Sequence, residues 1–153
     1  MTRLPVRKTY KLFVGGDFPR SESGRTYEAQ GQNVARASRK DVRDAVRAAR
    51  GAFGKWRGMT AYNRGQVLYR VAELMEGRRD QFVAEVAAAE GLREPRARDV
   101  VDRAIDRWVW YAGWADKIAQ VLGSSNPVAA SYFNFTIPEP TGVVGVVAPE
   151  TSS

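Results

Sequence analysis

Any chemistry in this chain must be done without cysteine or histidine, because the sequence contains neither. No thiolate nucleophile, no Ser–His pair and no disulfide can be built from it. Zinc and copper lose their two commonest protein ligands, so no metal centre is expected. Carboxylates, Lys, Tyr, Ser and Thr remain, which is a poor kit for a complete enzyme. Arg39, Arg43, Arg47 and Arg50 fall on one helical face, with Arg36 just ahead. Such a row of guanidiniums can track phosphates. Asp41 and Asp44 sit among them and no aromatic interleaves, so a solvated amphipathic face gives the same pattern more often.

Three further groups invite chemistry. Residues 108–114, Trp-Val-Trp-Tyr-Ala-Gly-Trp, have the aromatic density of a stacking platform or ligand pocket. They also keep a helical period, and a helix buried against its neighbours is the commoner source of that. Glu90, Glu94, Asp99, Asp102 and Asp106 include pairs at helical spacing that suit a hard cation. Arginines at 93, 96, 98, 103 and 107 interleave with them, so i,i+4 ion pairs are the simpler expectation. Residues 148–153 lie beyond the carboxyl end of an apolar run, where open α/β sheets bind ligands. No G-x-G-x-x-G turn accompanies them.

The elements that would hold these groups can be read from period and punctuation. Residues 11–14 and 26–28 read as strands around a Gly15-Gly16-Asp17 turn, which predicts a hairpin. Ser38 and Asp41 have capping-box spacing, and Val42, Ala45, Val46, Ala49 and Phe53 follow at helical intervals up to a stop at Gly58. Thr60 caps a second helix with Val67, Leu68, Val71, Leu74 and Met75 on its stripe. That helix is expected to continue through Val83 and Val86 to Gly91. Pro95 opens a long helix that Gly123 ends, and Gly113 inside it suggests a close approach to another element. The period then becomes two over 131–137, which predicts a half-buried strand. Residues 142–148 are almost continuously apolar, the pattern of a strand covered on both faces of a parallel sheet. No parallel neighbour precedes that strand and none follows, so the expectation is a fold cut off after its first central strand.

A chain of 153 residues has the size of one domain, and one this long can bury roughly 68–70% of its unfolded surface. With 44% hydrophobic and 27% charged residues it is neither a disordered tail nor a membrane protein. Its net charge of +7 favours acidic partners. The first ten residues lack the apolar core of a signal peptide, and the 143–148 run is too short to cross a bilayer, so a cytoplasmic protein is expected.

Several stretches resemble NAD(P)-dependent aldehyde dehydrogenases. Residues 12–18 (Leu-Phe-Val-Gly-Gly-Asp-Phe) with Ser23-Gly-Arg-Thr26 resemble that family's opening hairpin. Residues 45–53 with Trp56, Arg64, Leu68, Ala72 and Leu74 are similar to its next two helices. Residues 111–117 (Tyr-Ala-Gly-Trp-Ala-Asp-Lys) resemble its long helix, and 139–145 (Glu-Pro-Thr-Gly-Val-Val-Gly) its lead-in to the cofactor-binding sheet. The resemblance spans the whole chain but only the front of a much longer fold. It implies an α/β architecture: the N-terminal part of the aldehyde dehydrogenase fold, with a β-hairpin, a helical segment, an oligomerisation-arm strand and the first strand of a truncated Rossmann-like sheet. The implied divisions are 1–37 for the hairpin segment, 38–122 for the helices of the cofactor-binding domain, 123–141 for a linker and arm strand, and 142–153 for the first cofactor-sheet strand and its loop.

The implied activity is oxidation of an aldehyde to a carboxylic acid with NAD or NADP. In the family this proceeds through a thiohemiacetal on a catalytic Cys, with a Glu assisting deacylation. Both residues come later in the family than Ser153, so this chain alone is expected to be inactive. By position Val147, Ala148, Pro149 and Glu150 match the first cofactor-contacting loop, and Thr151 matches an Asn that helps form the oxyanion hole. The family pattern Pro-Trp-Asn-Phe-Pro is here Pro149-Glu-Thr-Ser-Ser153, and losing an oxyanion donor costs about 2.7–4 kcal/mol. A Thr hydroxyl has one rotatable donor where the amide has two, which implies a weaker dehydrogenase unless a neighbour restores the donor. The resemblance also implies a homo-oligomer joined through the 131–137 strand; no membrane partner is expected, and a nucleic-acid partner is the less favoured reading. Two other readings stand beside it: a basic helical module binding nucleic acid through the arginine row, and a non-catalytic relative kept as an interaction partner.

Overall fold

The computed structural model describes residues 8–29 and 31–149. They form two compact units, one of residues up to Lys55 with Gly142–Val144, the other of Trp56–Thr141 with the residues from Gly145 onward.

In the first unit β1 (Thr9–Tyr10), β2 (Thr26–Ala29) and β3 (Gln32–Ala35) make a sheet of order β1-β3-β2. The hairpin is β2–β3, antiparallel with Tyr27 opposite Val34, and β1 adds to the far side of β3 in parallel. This corrects the expected hairpin, because residues 11–13 form no strand. Val14 and Asp17 close a tight turn instead, through N–H···O bonds of 3.0 and 3.1 Å. Helix α1 (Arg39–Gly58) follows. Its start is the predicted box: the Ser38 amide donates to Asp41 Oδ2 at 2.7 Å, and the Asp41 amide donates to Ser38 Oγ at 3.3 Å. On its stripe Ala45, Val46 and Phe53 are half-buried, while Val42 and Ala49 stay exposed.

The second unit holds α2 (Ala61–Glu76), α3 (Arg79–Glu90), α4 (Glu94–Trp114), α5 (Ile118–Leu122), β4 (Ser124–Asn126) and β5 (Asn134–Thr136). The Asn63 amide donates to the capping Thr60 Oγ1 at 3.2 Å, as its spacing predicts. The predicted continuation to Gly91 is instead two helices, because the chain turns at Gly77 and Arg78 and lets α3 fold against α4. Gly91 ends α3 in the left-handed region at φ 64°, where a side chain would be strained. Helix α4 begins at Glu94 with Pro95 in its first turn and stops at Trp114, earlier than expected, with the Lys117 ammonium donating to the Gly113 carbonyl at 2.6 Å.

The core is the seam where α4 meets α2 and α3: Ala72, Val83, Ala97, Val101 and Ile105, ringed by Met75, Val86, Ala87 and Leu92. Small residues let the helices close up. Gly65 on α2 is the close-approach position, since a Cβ there would lie 3.0 Å from the Ala112 carbonyl oxygen and 3.4 Å from the Ala115 Cβ. Gly113, the expected one, faces open space. Arg79 of α3 forks onto Asp102 of α4, its Nε 2.6 Å from Oδ1 and its Nη2 on Oδ2.

Beyond α5 the expected 123–141 linker contains β4, which pairs antiparallel with β5 in the register Ser125 to Phe135. The predicted strand is therefore real but shorter, and it is exposed on both faces rather than half-buried. Nothing in the described residues covers this two-stranded ribbon. The predicted strand over 142–148 does not form: no ladder is made, and Val146 and Val147 are exposed. A strand exists only where its N–H and C=O groups find a partner strand, and among the described residues none pairs with it.

Candidate functional site

The loop singled out by its place after the apolar run is open. Val147 is 98% exposed, and Ala148 and Pro149 are exposed too. Their side chains carry no polar atom, so they can offer a ligand apolar surface and backbone groups only. Glu150 and Thr151 lie outside the described residues.

Upstream of this loop, in the second unit, Ile137, Pro138, Glu139 and Pro140 line a cleft of about 440 Å³ with Trp56, Arg57, Arg64 and Ile118. The Arg64 guanidinium donates to the Arg57 carbonyl at 3.5 Å and to the Met59 carbonyl, so it satisfies the carboxyl end of α1. That leaves the cleft two arginines and one carboxylate but no nucleophile. Sequence spacing gave no reason to join residues 57–64 with 137–140. A second cleft, of about 290 Å³, lies over the close approach at Gly65, with Tyr62, Tyr69, Asp116 and Lys117 on its wall.

The other sequence candidates resolve toward structure. Three of the four acidic residues of α4 are paired: Asp99 with Arg96 at 3.0 Å and Arg103 at 3.2 Å, Glu94 with Arg98 at 3.1 Å, and Asp102 with Arg79; Asp106 makes no ion pair among the described residues. Among the described residues no cluster of three metal-binding side chains occurs. In the arginine row Arg43 and Arg47 both reach Asp44, at 3.0 and 3.8 Å. In the aromatic run Trp110 meets Tyr111 edge to face at 4.9 Å and Trp114 at a 45° tilt at 5.3 Å, and Trp110 is 56% exposed rather than buried.

Electrostatics point the same way. Asp102 is held below the usual carboxylate range by the Arg79 guanidinium, Asp44 by Arg43 and Asp116 by Lys117. Asp41 is pulled down furthest, chiefly by the Glu22 amide at 3.0 Å and the Ser38 amide, with the Ser21 hydroxyl at 2.8 Å adding to them. These shifts fix carboxylates in their charged form, the opposite of tuning a general acid or base toward neutrality.

Comparison with known proteins gives a consistent picture. Residues 25–149 match the model of the aldehyde dehydrogenase family. Human retinal dehydrogenase 2 is 38% identical over 159 residues, a match that takes in 95% of this chain and 30% of that protein. Among solved structures, the NAD-dependent aldehyde dehydrogenase of Sinorhizobium meliloti superposes with a TM-score of 0.70 at 27% identity, over 79% of this chain and 26% of that one. PnpE in complex with nicotinamide adenine dinucleotide gives 0.74 at 28% identity, over 82% of this chain and 27% of that one. The chain thus spans between 17% and 31% of the length of these curated relatives.

Proposed function

This chain belongs to the aldehyde dehydrogenase family, and from that membership we propose that it serves as part of an oxidoreductase converting an aldehyde to a carboxylic acid with NAD or NADP. The observation that carries the proposal is the family match over 25–149, which runs up to the exposed 147–149 loop. A nicotinamide cofactor supplies the hydride acceptor. Val147, Ala148 and Pro149, with Glu150 after them, would give it one wall of apolar and backbone surface. No G-x-G-x-x-G turn is available to seat its pyrophosphate, so the rest of the site must come from elsewhere. Thr151 would stand at the oxyanion position with a single hydroxyl donor. The ribbon of β4 and β5, with Phe133, Phe135 and Ile137 exposed, supports a role for 131–137 as a strand shared between copies of the whole protein.

The 153-residue chain alone should not turn over, because it has no thiol to attack the aldehyde carbon. The test is aldehyde-dependent reduction of NAD or NADP, read by absorbance. It is run first on this chain, then on human retinal dehydrogenase 2 with this chain grafted over its matching part. Turnover by the chimera and none by the chain is the expected result. In the chimera Thr151→Asn should raise kcat by up to about a hundredfold. Turnover by the chain itself overturns the inactive-part reading. A chimera that melts cooperatively yet neither binds cofactor nor reduces it overturns the assignment.

A further inference from the structure

The chain's excess charge is concentrated at one end. Residues 1–55 hold 13 of the 24 Lys and Arg but 5 of the 17 Asp and Glu. Four of these cations, Lys8, Lys11, Arg20 and Arg25, line one cleft of about 480 Å³ together with Thr9, Ser21 and Thr26. The sheet explains why they meet. Tyr10 pairs with Val34, which carries Lys11 toward the end of β3, and Thr26 pairs with Ala35, which brings Arg25 to the same end from the other edge. The intervening chain is folded back by the Leu12 amide on the Pro19 carbonyl at 3.2 Å. Ser21 is then anchored with its Oγ 2.8 Å from the Arg36 carbonyl oxygen.

No carboxylate lines this cleft, and among the described residues none of the four cations has an ion-pair partner. Their neighbours are occupied: Lys40 holds Glu22, and Asp44 takes Arg43 and Arg47. Asp41, reached through Ser21, already accepts from the Ser38 and Glu22 amides. Lys8 sits over the Tyr10 ring at 5.7 Å, which leaves its charge uncompensated. Like charges around one concavity repel, and a bound anion relieves that repulsion. The volume falls in the range of roughly 300–1,000 Å³ for small-molecule sites, and Arg forks, Lys point charges and hydroxyls are the donors that phosphate oxygens take.

We propose that this cleft binds a small anion carrying two or more phosphate groups. The proposal rests on the end of the β1-β3-β2 sheet and not on the family assignment.

Calorimetric titration of the 153-residue chain with inorganic triphosphate at low ionic strength tests it. Saturable binding at one site, weakening as salt is added, is expected. The double substitution Lys11→Gln, Arg25→Gln should weaken affinity about tenfold or more. Arg70→Gln with Arg96→Gln removes the same charge from helix surfaces where both arginines are paired, and should leave binding unchanged. Circular dichroism checks that each variant keeps its helices. Equal loss in both variants would reduce the effect to net charge and overturn the site, as would binding that never saturates. A single-stranded oligonucleotide that binds more tightly per phosphate than triphosphate would also overturn it, in favour of a nucleic-acid surface.

Discussion

Two stretches of this chain are almost equally apolar and have opposite fates. Val101 and Ile105 are buried in the seam of α2, α3 and α4, Ile105 to 7% exposure. Ile137 after the ribbon is 60% exposed, and Val146 and Val147 are more exposed still. Side-chain chemistry does not separate the two regions. What separates them is the presence of an opposing surface: α4 has two helices against it, while nothing in the described residues covers β5 or the run after it. Apolar patterning records that a segment is meant to be covered, and the cover has to be supplied by some other surface.

The sharpest way to break this comparison is a matched pair of substitutions. Ile105→Ala should cost about 2–5 kcal/mol, because it empties a packed seam, whereas Ile137→Ala should cost less than about 0.5 kcal/mol. Urea unfolding of both variants measures the difference, and equal costs would mean the helical seam is not the stabilising core. A smaller test uses glycines in facing helices. Gly65→Val pushes into the Ala112 carbonyl and should cost about 1–3 kcal/mol, while Gly113→Ala meets nothing and should gain roughly 0.5–1 kcal/mol of helix propensity. Melting temperatures that move in the same direction would remove the assignment of Gly65 as the close-approach point.

What was legible in the sequence follows the range of the interactions involved. The Ser38–Asp41 box, the Thr60 cap, Pro95 at a helix start and Gly91 at a helix end were readable because each is settled within three or four residues. The pairing of β1 with β3 was not, since Thr9 meets Asn33 and no local pattern selects that partner. The turn at Gly77 was missed for a related reason: α2 ends there so that α3 can fold back against α4, a partner that no local pattern names. Of the site residues, Val147, Ala148 and Pro149 are found on an open loop. Their proposed role came from resemblance, since three apolar residues state no chemistry of their own. The cleft of Lys8, Lys11, Arg20 and Arg25 had no sequence signal at all, because its members are gathered from the two ends of β1 and from the loop that leads into β2.

A finer test asks whether the helical region is fixed at its ends as well as along its seam. Thr60→Ala strips the hydroxyl that accepts from the Asn63 amide and should cost about 1 kcal/mol. Hydrogen exchange is the useful readout, because the loss should appear first at the start of α2. Protection lost evenly over α2, α3 and α4 would instead mean that these helices open only together.

The smallest expected effect is on pH, and it too divides the two regions. Asp102 is depressed below its ordinary value of 3.8, foremost by its hydrogen bonds from Arg79. A carboxyl with a lower pKa in the folded state binds its proton more readily when unfolded, so its stabilising contribution is full above the ordinary value and fades as pH falls toward the folded one. The pair is about one-third exposed on each side, so solvent screens it and the contribution is modest. Below the ordinary carboxylate value the amides of α3 and α4 should therefore exchange faster, and Asp102→Asn should flatten that dependence without altering exchange in β4 and β5. Described residues 123–149 form no ion pair, so acid has no such clamp to release there. Equal acid sensitivity of the ribbon and the helices would show that protonation acts through a global charge change, and the Arg79–Asp102 bridge would lose its place as an acid-sensitive clamp of α3 on α4, beside the more exposed Arg98–Asp80 pair.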